Sequence, residues 1–280
     1  MLNCYFRHFS VNTQNIMNSN TVVIKIGTAS ITDPKTGVDL EAINNLARAS
    51  AELKSQGYRV IIVSSGAMSL GIKKLGLESN SHSDNSSFKQ ALTAVGQVDL
   101  VNAYENIFKY YGYHVGQVLT THQGLEDKSR YESIYNTIEN LFELDIIPII
   151  NANDPVTPSE IDYGDNDSLS AKIAVLAKAS HLILITDSGA LYDSDPSQNP
   201  EAQLISKVSE INNEILAMAG TSSSNVGMGG MKSKIEAAQI CMDHGIRSLI
   251  TGKAKILELP EASFELSNLE KLGTLFSANP

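Results

Sequence analysis

The sequence predicts an α/β protein, a three-layer α/β/α sandwich around a mostly parallel central sheet. Two observations carry that expectation. Six short β-branched runs, TVVIKIG (21–27), RVIIVSSG (59–66), HVGQVLTT (114–121), DIIPIIN (145–151), HLILITD (181–187) and RSLITG (247–252), are continuously apolar, as strands buried on both faces are. Between them, longer stretches repeat their apolar residues at helical spacing, and such β/α alternation builds layered parallel sheets.

The first run carries Lys25 two residues before Gly27. A lysine is almost never fully buried without a partner, so Lys25 either faces water from an edge strand or meets an anion at the sheet's carboxyl rim. Leu40, Ile43, Leu46, Ala47 and Leu53 then form one helical stripe that Gly57 ends. Ser129 with Glu132 reads as a capping box ahead of Tyr135, Ile138, Leu141 and Phe142. Asp167 reads as the N-cap of a helix from Ser168, with Leu169, Ile173, Leu176 and Ala177 on its inner face. Another helix begins near Met231. The segments 78–87 and 220–230 are polar, turn-rich connections.

With 280 residues, 42% of them hydrophobic, the chain is long enough for one large domain or two small ones. Residues 21–280 are expected to form a single domain, with a loop near residue 155 separating its halves. Residues 1–20 hold one Arg and no acid and are expected to be a disordered extension, or leader to a start at Met17; a targeting segment is the weaker alternative. The net charge of −10, without any basic run, argues against nucleic acid. Cys4 and Cys241 lie far apart with no Cys-x-x-Cys pair, so neither a disulfide framework nor a zinc site is encoded, and a reducing cytoplasm fits. No run approaches the roughly 18 apolar residues of a membrane helix.

In open parallel sheets ligands gather beyond the carboxyl ends of the strands. Here those ends read KIGTAS, SSGAMS, NANDPV and TDSGALYDSDP. Gly27 and Gly66 permit backbone N–H groups to approach an anion closely. NVGMGGMKSKIEAA (225–238) is no Walker A loop, because Met231 precedes Lys232, and it lacks the third glycine of a dinucleotide fingerprint. It still joins flexible amides to a helix start bearing Lys232 and Lys234, which suits nucleotide phosphates. GDNDSLSAK (164–172) fails as an EF-hand: counted from Asp165, position six is Ser170 and position twelve is Leu176. One cap needs one acid, yet Asp165, Asn166 and Asp167 stand together with Asp162 nearby. The surplus points to a second task, with a solvated acidic turn as the competing explanation.

VVIKIGTAS, VSSGAMSLG, QALTAVGQ, PIINANDPV, EIDYGDNDSLSA, LITDSGALYDSDP and GMGGMKSKIEAA together resemble the glutamate 5-kinases of the amino acid kinase family. The resemblance runs from about Thr21 through LGTLF (272–276). GDND with its flanking NxND and TD carries the glutamate-specific part; KIG and SSGA are shared more widely. It implies ATP-dependent phosphorylation of the γ-carboxylate of L-glutamate, the first step of proline biosynthesis, with Mg²⁺ accompanying ATP and no confident metal ligand from the protein. It further implies an N-terminal substrate half and a C-terminal nucleotide half, assembly as a dimer or tetramer, proline feedback inhibition and a cytoplasmic location. The PUA domain that often follows in this family is not expected after LGTLF.

Residue by residue, the resemblance makes Lys25 and Lys234 the phosphate lysines and Asp167 the aspartate that positions them. Ser65, Asp154 and Asn166 become glutamate contacts, with Gly66 beside them. Thr186 and Asp187, with Gly27, become nucleotide contacts, as does the loop Met228, Gly229, Gly230, Met231, Lys232, Ser233 and Lys234. The chemistry agrees. A γ-carboxyl group, with an ordinary pKa of about 4.3, is already ionised at neutral pH, so the nucleophile needs no general base. Positioning and cations at the phosphoryl group must do the rest, and Asp154 suits the substrate ammonium. Two departures stand out: GMGGM places Met228 where the family has threonine, and NAND places Ala152 where it has glutamate. Two alternatives stay open, a relative acting on another carboxylate such as acetylglutamate or aspartate, and a non-catalytic glutamate- or proline-binding regulator. GDND and Asp154 weigh against the first; Lys25, Asp167 and Lys234 together weigh against the second.

Overall fold

The computed structural model describes residues 20–33, 35–78, 85–157, 166–219 and 230–278. In chain order the elements are β1 (Thr21–Ile26), α1 (Thr28–Ile31), β2 (Thr32–Asp33), β3 (Gly37–Val38), α2 (Leu40–Ser55), β4 (Arg59–Ser64), α3 (Ala67–Lys74), α4 (Ser86–Phe108), β5 (Val115–Thr120), α5 (His122–Glu126) and α6 (Lys128–Glu143). They continue with β6 (Ile147–Ala152), α7 (Asn166–Leu176), β7 (His181–Thr186), β8 (Lys207–Val208), α8 (Asn213–Ala219), α9 (Met231–Asp243), β9 (Arg247–Gly252), α10 (Leu266–Leu272) and β10 (Gly273–Phe276). All six apolar runs are strands.

Those six belong to one eight-stranded sheet of order β5-β6-β4-β1-β7-β9-β10-β8. It is parallel from β5 to β9; β10 then runs antiparallel to β9, and β8 parallel to β10. From β1 the chain builds outward through β4 on one side and later through β7 on the other. That makes the carboxyl end of β1 a topological switch point, where open α/β sheets bind ligands.

Strand alternation divides the core. Val23, Val63, Leu182 and Leu184 pack with Leu169, Ile173 and Ile235 beneath α7 and α9. Val22, Ile24, Ile62 and Ile183 pack with Ile43, Leu46, Leu100 and Tyr104 beneath α2 and α4. Each large apolar side chain so buried contributes about 1.5–3 kcal/mol. The predicted inner face of α7 is buried, and Ala171, Ala174 and Val175 on its other sides are buried too. Its Lys172 is also covered, with Nζ 3.2 Å from Glu126 Oε1 of α5.

Several helix ends differ from expectation. Gly57 does end α2: its φ is 89°, its N–H donates to Lys54 O and that of Tyr58 to Leu53 O, a Schellman ending. Leu40, however, is 58% exposed at the helix start and leaves the buried stripe. The cap of α6 is Asp127, whose side chain accepts from Arg130 N at 2.9 Å. Ser129 falls inside the first turn, because the acid two residues earlier takes the orphan N–H. Helix α7 starts at Asn166, which puts Asp167 in the first turn and not at the cap. Asn85 caps α4, its side chain accepting from Phe88 N at 3.0 Å, so 86–87 are helical and not loop.

The expected N-terminal extension with Cys4 and Met17, most of the 78–87 connection, Asp162, Asp165 and 220–229 lie outside the described residues. Cys241 is fully buried, and burial pushes its thiol up to about 12. Among the described residues no helix is long and apolar enough to cross a membrane.

Candidate active site

Lys25 lies on the central strand, paired with Val63 of β4 and Leu184 of β7, and is only 5% exposed. The edge-strand explanation is therefore excluded. Its partner is Asp167: Lys25 Nζ is 2.6 Å from Asp167 Oδ1, and Lys234 Nζ is 3.1 Å from Asp167 Oδ2. Ser233 Oγ also donates to Oδ2, at 2.7 Å.

Three elements converge to make this cluster. The pleat of β1 sends Lys25 to the same face as Val23, toward α7. The first turn of α7 delivers Asp167, an acid placed favourably at the positive end of the helix dipole. The first turn of α9 delivers Ser233 and Lys234. The carbonyl of Gly230, just before α9, lies 2.8 Å from Ser233 Oγ, where it competes with Asp167 for the one hydroxyl proton, and accepts from Lys234 Nζ at 3.5 Å.

Burial alone would raise the Asp167 carboxyl pKa. The Lys25 ammonium foremost, then that of Lys234, outweighs burial and holds the carboxyl below its ordinary range, at about 2. Asp167 is thus an anion without spare basicity. Among these three side chains two ammonium groups face one carboxylate, so the trio itself carries one excess positive charge. An incoming phosphate oxygen would offset that charge. Above it, a methyl group on Gly27 would stand 3.7 Å from Lys25 Nζ, so glycine leaves the space over the ammonium open.

Asn166, next in sequence to Asp167, points the other way. Its Nδ2 lies 3.0 Å from each of Ser64 O, Ser65 Oγ and Asn151 Oδ1. It therefore joins the carboxyl ends of β4 and β6. Gly66 adopts a left-handed φ of 99°, and an added Cβ would lie 3.0 Å from Ile31 Cγ2; both features require glycine. Asp154 begins a 3₁₀ turn, Asp154–Val156, after β6, and its carbonyl accepts from Gln90 Nε2 at 3.3 Å. Ala152 is buried in the apolar core, where the charge of a glutamate is costly without a partner.

On the opposite side of β1, Thr186 ends β7 and Asp187 follows it. Asp187 Oδ1 accepts from Ser30 Oγ at 2.8 Å, which ties this loop to α1. Not every expected residue joins the cluster. Met231 is packed into the core, and Lys232 is exposed, its Nζ 3.9 Å from Glu236 Oε1. Met228 and Gly229 lie outside the described residues. Sequence reasoning missed the bonds of Ser233 to Asp167, Ser30 to Asp187, and Gln97 to Asn151. The motif QALTAVGQ contained Gln97, but only the fold reveals its partner.

Comparison with known proteins points in one direction. The profile of the amino acid kinase family matches residues 20–252. A glutamate 5-kinase of Clostridium acetobutylicum is 43% identical over 261 residues, 93% of this chain and 96% of the relative. One of Haemophilus influenzae is 39% identical over 263 residues, 94% of this chain and 70% of the relative. Among solved structures, an isopentenyl phosphate kinase superposes with a TM-score of 0.59 at 14% identity, covering 92% of this chain and all of the other. A carbamate kinase from Giardia lamblia bound to AMP-PNP superposes with a TM-score of 0.61 at 17% identity, covering 94% of this chain and all of the other. The structural likenesses support the fold; the 39–43% identities reach further.

Proposed function

Because the chain belongs to the amino acid kinase family, and within it to the glutamate 5-kinases, we propose that Lys25, Asp167 and Lys234 form its phosphoryl-transfer centre. The enzyme phosphorylates the γ-carboxylate of L-glutamate with ATP, a step of proline biosynthesis. The observation that carries the site assignment is the buried cluster in which one carboxylate holds two ammonium groups at 2.6 and 3.1 Å.

The reaction forms a bond between a γ-carboxylate oxygen and the γ-phosphorus. It breaks the bond from that phosphorus to the β,γ-bridging oxygen, which leaves on ADP with the electron pair. No proton moves, so no base is required. The obstacle is repulsion between a carboxylate and a polyanion. Lys25 and Lys234, fixed by Asp167, lower it by presenting positive charge where negative charge concentrates. We place glutamate on the β4–β6 side, with Asn166, Ser65 and Gly66 around it and Asp154 meeting its ammonium. ATP lies on the β7 side, against Thr186, Asp187 and the loop that enters α9. Asn166 and Asp167, adjacent on α7, thereby join the substrate half of the chain to its nucleotide half.

Mg²⁺ neutralises phosphate charge when it accompanies ATP. It enters with the nucleotide on this reading. A cytoplasmic homo-oligomer inhibited by proline is the form we propose, on family resemblance.

ATP, Mg²⁺, L-glutamate and hydroxylamine supplied together should yield γ-glutamyl hydroxamate, because an acyl phosphate is trapped by that nucleophile. Folded protein that yields none above background would refute the reading. N-acetylglutamate or aspartate turning over faster than glutamate would move it to a neighbouring specificity.

A further inference from the structure

Helix α4 meets the substrate side with polar residues at seven-residue spacing. Gln90 Nε2 donates to Asp154 O at 3.3 Å, Asn151 Nδ2 donates to Gln97 Oε1 at 2.9 Å, and the Tyr104 hydroxyl donates to Ser64 Oγ at 2.9 Å. A single backbone group sets the polarity of the middle link. The Ala152 N–H can only donate, so the Asn151 atom 2.8 Å from it is Oδ1. Asn151 therefore turns Nδ2 toward Gln97, and the Gln97 atom receiving it is Oε1. Gln97 Nε2 remains a buried donor that meets no acceptor among the described residues. The residue is 8% exposed, so water does not readily take the acceptor's place, and buried amides of this kind are rarely left unpaired.

The carboxamide is held where it stands. A Cβ on the preceding residue, Gly96, would fall 1.8 Å from Ala67 O, so α4 is pressed against α3 at this point. From there Gln97 reaches Asn151, which bonds Asn166, which bonds Ser65.

We propose that Gln97 Nε2 is a substrate contact that donates to the α-carboxylate of glutamate, an inference that rests on the glutamate-kinase reading above. The donor needs an acceptor. Of the charged groups on glutamate, the ammonium is itself a donor and the γ-carboxylate is committed to the phosphoryl group beside Lys25 and Lys234. The α-carboxylate is what remains. Gln97 accordingly favours a free α-carboxylate over its amide, whose neutral carbonyl oxygen accepts a weaker bond.

The test is steady-state hydroxamate formation by the full chain with L-glutamate and with its α-amide, in the wild type, Gln97→Met and Gln97→Glu. Gln97→Met removes the donor and with it the acceptor of Asn151 Nδ2: KM for glutamate should rise about tenfold or more and several-fold more than KM for the α-amide, while KM for ATP stays within about twofold. Gln97→Glu faces the α-carboxylate with a like charge and should shrink or reverse the preference for glutamate over the α-amide. Thermal melting verifies folding, and if Gln97→Glu does not fold, Gln97→Met decides alone. An equal rise in KM for both substrates, or none, would overturn the inference and leave Gln97 as a support for Asn151. A wild type inactive on glutamate would instead refute the underlying reading.

Discussion

The Asp167 carboxylate sits 2.6 Å from the Lys25 ammonium, joining the central strand to the first turn of α7 across the sheet's switch point. The proposed chemistry depends on that pair. Its acid sensitivity follows from the depressed carboxyl, which titrates at about 2 in the fold against an ordinary value of 3.8. The unfolded chain therefore binds this proton first as pH falls, and the stabilisation, complete above about 4, is lost on the way down through about 2. Wild type and Asp167→Asn should differ in stability by on the order of 2 kcal/mol near pH 7. Urea titrations at successively lower pH should show the gap closing below pH 4; a gap independent of pH would contradict the ion pair.

Gly96 and Gly71 let α4 and α3 cross at close range, since a Cβ on Gly71 would stand 1.9 Å from Leu92 O. Gly96→Ala should destabilise the protein by about 1–3 kcal/mol or more through overpacking, measured by urea unfolding. Because Gln97 follows directly, KM for glutamate should rise more than KM for ATP.

Ser30→Ala removes the donor to Asp187 and leaves a carboxylate less firmly placed beside Thr186. KM for ATP should increase several-fold, as expected for one hydrogen bond to a charged group, with KM for glutamate unchanged. Initial rates at varied ATP and saturating glutamate check this directly.

His181 supplies a second pH dependence, remote from the chemistry. It lies at the amino end of β7, its ring 4.5 Å from that of Phe264. Burial, and secondarily the Arg247 charge, depresses its pKa from 6.5 to about 3. Between those values the unfolded chain holds a proton that the fold refuses, so stability falls as pH decreases from about 6.5 toward 3. His181→Gln should lose less stability than wild type between pH 6.5 and 4 in urea titrations.

The central strands were legible because burial on both faces writes continuous apolar runs, whereas β5 is an edge strand with Gln117 and Leu119 exposed and is not buried on both faces as expected; the ligand end was legible because glycine and small polar residues follow the strands. Gly273–Phe276 and Lys207–Val208 were not, being too short to carry a period. Capping was harder. Ser129 and Asp167 both looked like caps by local chemistry, yet Asp127 displaced the first and the lysines claimed the second. Gln97 was illegible for a different reason: a polar residue on an apolar helix resembles a surface position until the fold sets Asn151 against it. Lys25 was legible as an anomaly, and its answer came from β1 being central.

The organising role of Asp167 is tested most sharply by kcat for Asp167→Asn, taken at a temperature where circular dichroism shows the variant folded. If Asp167 organises both lysines around the phosphoryl group, kcat should fall by about 10²–10³, as when one preorganised electrostatic element is removed, with KM for glutamate and ATP changed far less. A folded Asp167→Asn enzyme that keeps a kcat close to wild type would contradict it.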